Sequence, residues 1–241
     1  MPKPVAVILS GCGREDGSDP AETLFTLLVL ERAGARPICA APERARADVA
    51  RLVGRAVTPL DKLEPRQVQG MIIPGGGGTS TVLSDYTTKH ELCTVDPSLS
   101  ALMRALLQSH RPMGFIGSSA LLAARVLGPV AGVRVTLGPK GTAVAKHAAV
   151  MGADVRPGTG DDVVFDPKAR VASTPGLLAP PPPAVEGGAA PDSTLPAIMR
   201  SVDRLVRLIV GGGGQPRPAG RPDGGRPSGG GRPTDRDRGS A

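Results

Sequence analysis

The chain reads as an α/β protein, a sandwich of helices around a mostly parallel sheet, on three observations. Short continuous apolar runs such as VAVIL at residues 5–9 have the composition of strands buried on both faces. Segments with apolar residues at helical spacing, framed by helix start and stop signals, separate those runs. Loops of small residues follow three of the strand runs, and in such sheets the site lies at the carboxyl ends of the strands.

The elements follow in order. The first run opens into the loop SGCG, and residues 20–33, PAETLFTLLVLERA, make a helix with Pro20 at its start and Gly34 just past its end. RPICAA (36–41) is a strand, residues 43–55 a weaker Arg/Ala helix, and GMIIPGGGG (70–78) a strand running into a Gly-rich loop. DPSLSALMRALLQS (96–109) is an amphipathic helix with an Asp-Pro start signal. MGFI (113–116) is a strand that enters the turn GSS (117–119), from which an Ala/Leu-rich helix leaves. Strand, sharp turn and helix are the layout of an elbow that presents a nucleophile. Beyond it come the strand VRVTL (133–137), the helix GTAVAKHAAVMGA (141–153), the strands DDVVF (161–165) and RVAST (170–174), and a closing helix over 193–210.

With 241 residues, 40% hydrophobic and 21% charged, the chain has material for one domain, residues 1–210, interrupted by a Pro-rich insertion at 179–191. Residues 211–241 are Gly, Pro and Arg-rich with no large apolar side chain, the composition of a disordered tail. The net charge of +7 does not indicate a nucleic-acid partner. The last 31 residues hold six Arg against three Asp, the rest of the charge forms no stripe, and one Tyr, three Phe and no Trp leave few platforms for stacking bases. No run of about 18 apolar residues suggests a membrane span. Cys12, Cys39 and Cys93 are odd in number and lack CxxC spacing, which fits a reducing compartment. His90, His110 and His147 are scattered, so a metal site is not expected. The strand run begins at Val5, leaving no room for a targeting segment. A cytoplasmic location is expected, or a mitochondrial one if a presequence is missing from the chain.

The loops after the strands supply the candidate site. PGGGG, residues 74–78, either turns backbone N–H groups toward an oxyanion or is a flexible turn. Glu22, in the first turn of the first helix, either stands desolvated as an acid or complements the helix dipole. Cys12, between two glycines, is either a reactive thiol or a small buried residue.

The segments VAVILSGCGREDGSDPAETLFTLLVLERAGA, IIPGGGG, ELCTVDP, RPMGFI and RVASTPGLL resemble the ElbB-like glyoxalase branch of the PfpI superfamily of class I glutamine amidotransferase-like proteins. The likeness covers residues 3–178 and resumes over the last helix. It implies a flavodoxin-like three-layer sandwich, a homodimer, and cofactor-free chemistry on small aldehydes such as glyoxals or on early glycation adducts. It also implies a Cys nucleophile at the elbow, a Glu that hydrogen-bonds it, and an oxyanion hole of glycine amides. Carried onto this chain, the acid falls on Glu22 and the oxyanion glycines on Gly75 and Gly76. The nucleophile falls on Gly117, where the branch pattern G-F-I-C-I-A-P becomes Gly114, Phe115, Ile116, Gly117, Ser118, Ser119, Ala120. Ala21 stands where the branch usually has His, the segment after RPIC is shorter, and the Pro-rich insertion is extra.

The reading is a non-catalytic, ligand-binding or regulatory member whose ligand is a small aldehyde or carboxylate. The alternative is a glyoxalase- or deglycase-type enzyme with a displaced nucleophile, Cys12 or Ser118. A third is a structural partner acting through its tail.

Overall fold

The computed structural model describes residues 1–176 and 194–211. The Pro-rich insertion expected at 179–191 and the tail beyond residue 211 lie outside the described residues. In chain order the elements are β1 (Lys3–Ile8), α1 (Pro20–Arg32), β2 (Ala35–Ala41), α2 (Glu43–Val53), β3 (Thr58–Pro59), β4 (Gly70–Ile73), α3 (Gly78–Thr81) and α4 (Tyr86–Lys89). There follow α5 (Pro97–Gln108), β5 (Met113–Ile116), α6 (Ala120–Ala131), β6 (Arg134–Val135), α7 (Ala143–Val150), β7 (Asp154–Val155), β8 (Val164–Asp166), β9 (Val171–Thr174) and α8 (Thr194–Val210).

The central sheet has seven strands in the order β3-β2-β1-β4-β5-β9-β8. All pairs are parallel except β8 with β9. Alternation along the strands builds the two faces of a flavodoxin-like α/β sandwich. Val5, Val7 and Leu9 point into one apolar cluster with Leu27 and Leu30 of α1, Val49 of α2 and Val202, Leu205 and Ile209 of α8. Ala6 and Ile8 point into the other, with Leu99, Met103 and Leu106 of α5 and Leu121, Ala124 and Leu127 of α6. Among the described residues no helix is long and apolar enough to cross a membrane.

The expected strand VRVTL is not part of the central sheet. Only Arg134 and Val135 are extended, and they pair with β7 in a separate two-stranded sheet. The place beside β9 is taken by antiparallel β8, and Arg134 N–H donates to the Asp166 carboxylate of that strand at 2.9 Å. The two-residue edge strand β3 carries no periodic signal, and its Pro59 is of the kind tolerated only at an edge. Strand order reverses between β1 and β4, each of which leads away from a shared edge. In such sheets the crevice opens at that switch point.

Candidate functional site

The loops after β1, β4 and β5 meet over the switch point and enclose a cavity of about 180 Å³ lined by Arg14, Asp19, Glu22, Gly75, Gly76, Gly77, Ser80, Gly117 and Ser118. Convergence of these loops was legible in the sequence. Arg14, Asp19 and Ser80 were not singled out, although Asp19-Pro20 is a helix start signal like Asp96-Pro97. Asp19 caps α1, its Oδ1 accepting from Glu22 N at 3.1 Å.

Glu22 does more than complement its own helix. Its side chain is buried, 1% exposed, and Oε2 accepts from Gly75 N at 2.7 Å, joining the first helix to the Gly-rich loop across 53 positions. A hydrogen bond that satisfies a buried backbone amide contributes about 0.5–1.5 kcal/mol.

The Gly-rich loop is packed closely against residues 10–19. A Cβ at Gly77 would sit 1.7 Å from Glu15 O, one at Gly76 2.2 Å from Gly17 O, and one at Gly78 2.3 Å from Ser10 Oγ. Four glycines in a row are therefore what lets the loop after β4 nest against residues 10–19. The nest also engages every amide of the quartet: Gly75 N to Glu22 Oε2, Gly76 N to Ser118 Oγ at 3.1 Å, Gly77 N to Arg14 O at 2.7 Å and Gly78 N to Gly17 O at 3.0 Å. The expectation that Gly75 and Gly76 offer open donors to an oxyanion thus meets amides that already donate. A ligand reaches them by displacing the Glu22 carboxyl or the Ser118 hydroxyl.

The elbow is built as the sequence layout implied. Gly117 sits at φ +60°, between β5 and α6. Ser119 locks the turn, its Oγ accepting from Ile116 N at 2.9 Å and standing 2.7 Å from Ile73 O of β4. A Cβ on Gly117 would meet Glu22 Oε1 at 3.4 Å, Pro175 O at 3.5 Å and Glu22 Oε2 at 3.7 Å. The elbow position, Gly117, and Glu22 face one another, and Gly117 carries no side chain.

The two displaced-nucleophile candidates are differently placed. Ser118 lines the cavity, but its Oγ donates to Gly76 O at 3.0 Å and accepts from Gly76 N and from Thr79 Oγ1 at 2.9 Å. None of these groups takes a proton at neutral pH, so the hydroxyl has no base among these partners. Cys12 is exposed and lines a neighbouring cavity of about 210 Å³ with Ser10, Asp16, Arg44, Asp48 and Thr81. It is not among the residues around Glu22 and Gly117.

No family model matches the chain. It is 29% identical over 161 residues, 57% of its length, to the human protein "Glutamine amidotransferase-like class 1 domain-containing protein 3, mitochondrial". It is 28% identical over 154 residues, 56% of its length, to the rat "ES1 protein homolog, mitochondrial". The chain spans a little over half the length of these curated relatives, 59% and 57%. In sequence the chain is thus similar to class I glutamine amidotransferase-like proteins, and it shares the fold of PfpI and DJ-1 proteins. The fold is shared by the isoprenoid biosynthesis protein with amidotransferase-like domain from Ehrlichia chaffeensis, with a TM-score of 0.72 and 20% identity over 86% of this chain and 99% of that one. Drosophila melanogaster DJ-1beta shares it with a TM-score of 0.55 and 17% identity, over 88% of this chain and 92% of that one.

Proposed function

We propose that the protein is a non-catalytic member of the superfamily, of its ElbB-like glyoxalase branch, and that it binds a small aldehyde or carboxylate at the switch point. The observation that carries this is Gly117: the position at the head of the elbow faces Glu22 and has no side chain. Glyoxalase chemistry of the superfamily's kind starts with thiolate attack on an aldehyde carbon, and glycine supplies no atom for that attack. The cavity, below the roughly 300 Å³ at which drug-sized pockets begin, suits a small ligand. Arg14 lines it together with the carboxyls of Asp19 and Glu22.

A displaced nucleophile is the second reading, and the exposed thiol of Cys12 on a cavity of its own is the observation that favours it. Three free cysteines support a reducing compartment, the cytoplasm or, following the names of the mammalian relatives, the mitochondrion. The homodimer implied by the branch stays part of this proposal.

The test is purified protein incubated with methylglyoxal or glyoxal and followed for lactate or glycolate. No turnover is expected, while binding of glyoxylate or pyruvate raises the melting temperature. Turnover comparable to that of a Cys-bearing relative overturns the reading. If that turnover disappears in Cys12→Ser, the displaced nucleophile is established.

A further inference from the structure

The walls of the cavity at the switch point narrow the ligand it can take. Beside Gly117, outside residues 116–118, the three heavy atoms nearest the point where a Cβ would stand are all oxygens: Glu22 Oε1 at 3.4 Å, Pro175 O at 3.5 Å and Glu22 Oε2 at 3.7 Å. A carbonyl and an ionised carboxylate only accept hydrogen bonds. The group that settles there is therefore a donor. The cavity's charges point the same way, since the carboxyls of Asp19 and Glu22 line it against the guanidinium of Arg14. A simple anion adds to that excess of negative charge, whereas a zwitterion adds none.

We propose that the ligand is a small α-amino acid, its ammonium seated beside Gly117 on Glu22 and the Pro175 carbonyl and its carboxylate taken by Arg14. The inference rests on the reading of the cavity as the site of a small carboxylate, and it names which one. A primary ammonium has three N–H donors and no acceptor, which matches three acceptor atoms around one point. Such a nitrogen bonds to oxygen at about 2.7–3.2 Å. It therefore settles a few tenths of an ångström closer to those oxygens than a Cβ anchored at residue 117 would. An aldehyde or carboxylate oxygen in the same place would set acceptor against acceptor.

Neither Glu22 nor Arg14 has to give up a partner. Glu22 Oε2 keeps the Gly75 amide at 2.7 Å, because a carboxylate offers about four lone-pair sites to donors. Arg14 carries five N–H donors, enough to take a carboxylate beside its protein contacts. The cavity of about 180 Å³ holds roughly six water-sized groups at ~30 Å³ each, room for glycine or alanine and too little for a long side chain. Gly117 is what opens this place. Any side chain there would stand at the point the ammonium takes, and φ +60° is a backbone conformation that glycine adopts without strain.

The experiment titrates the full chain at pH 7, by calorimetry and by melting temperature, with glycine, glycolate, glyoxylate and acetate. These share a carboxylate and two carbons and differ in the group on the second carbon. Glycine should bind about tenfold or more tighter than each of the others and raise the melting temperature most. L-Alanine should follow glycine. Methylammonium, which has no carboxylate for Arg14, should bind about tenfold or more weakly than glycine. Glu22→Gln and Gly117→Ala should each reduce the preference for glycine over glycolate by about tenfold. Glycine binding no tighter than glycolate in the wild-type protein overturns the inference, whether or not either variant folds. An undiminished preference for glycine in folded Gly117→Ala, or methylammonium binding as tightly as glycine, overturns it as well. Saturable binding of glyoxylate with no preference for glycine overturns this inference and leaves the small-carboxylate reading standing, whereas no binding of any of the four overturns both.

Discussion

Restoring a thiol at the elbow, Gly117→Cys, probes the site and the reading of it together. Space is not the obstacle: the Cβ would touch Glu22 Oε1 at 3.4 Å and Pro175 O at 3.5 Å, at or beyond van der Waals contact. The cost is the backbone, since φ +60° places a side-chain-bearing residue in the left-handed region, at roughly 1–2 kcal/mol. A Cβ also stiffens the unfolded chain, which returns about 0.4–1 kcal/mol. The net is about 1 kcal/mol of destabilisation, or roughly 2–4 °C in melting temperature for a domain of this size. Gly117→Ala should show the same loss and serves as the control for strain without a thiol. The new thiol lies at the turn that feeds the N-terminus of α6, where helix-end amides favour thiolate, so its pKa should fall below the ~8.5 of a free cysteine. The assay is alkylation by iodoacetamide at pH 7 with mass spectrometry, alongside thermal unfolding. Position 117 should be alkylated faster than Cys12, and Gly117→Cys but not Gly117→Ala should gain weak conversion of methylglyoxal to lactate. An introduced thiol that is inert in a folded protein would refute the placement of the elbow and the reading of the protein as a member that lost its nucleophile.

Gly77→Ala should be far more damaging than Gly117→Ala, by roughly 3 kcal/mol or more in denaturant unfolding, because its Cβ would overlap Glu15 O at 1.7 Å and the obstacle is backbone. An effect under about 1 kcal/mol would show that the loop over residues 10–19 is not held against the glycines. Glu22→Ala should cost about 1–3 kcal/mol, since it leaves the buried Gly75 amide without its acceptor, whereas Glu22→Gln keeps an accepting oxygen and loses less; equal losses in urea titrations would count against that bond. In the native protein at pH 8 a disulfide-exchange reagent should titrate Cys12 alone, and all three thiols only after denaturation, because Cys39 and Cys93 are buried. Burial pushes the Cys39 thiol from 9.0 up to about 11, so as pH rises past 9 the unfolded chain loses that proton first. Stability should then fall between pH 9 and 11, by at most about 1.4 kcal/mol per unit from this group, and less steeply in Cys39→Ala.

Local chemistry in the sequence was enough for the fold class and for the loops that form the site. Apolar runs flanked by helical periodicity defined β1, β4, β5 and the helices around them, because burial on two faces leaves a run with no polar positions. Small residues after those strands marked the loops, because only small residues allow such close approach. What the tertiary structure decided are properties of pairs far apart in the chain. VRVTL has a strand's composition, yet it is kept out of the central sheet because β8 returns antiparallel and occupies the edge beside β9. Composition records a segment's own preference and not competition for a neighbour. The glycine amides read as open donors until the fold brought Glu22 and Ser118 onto them from 53 and 42 positions away. Cys12 and Gly117 both follow strands of one sheet, and only packing of the glycine quartet against residues 10–19 sets them in separate cavities.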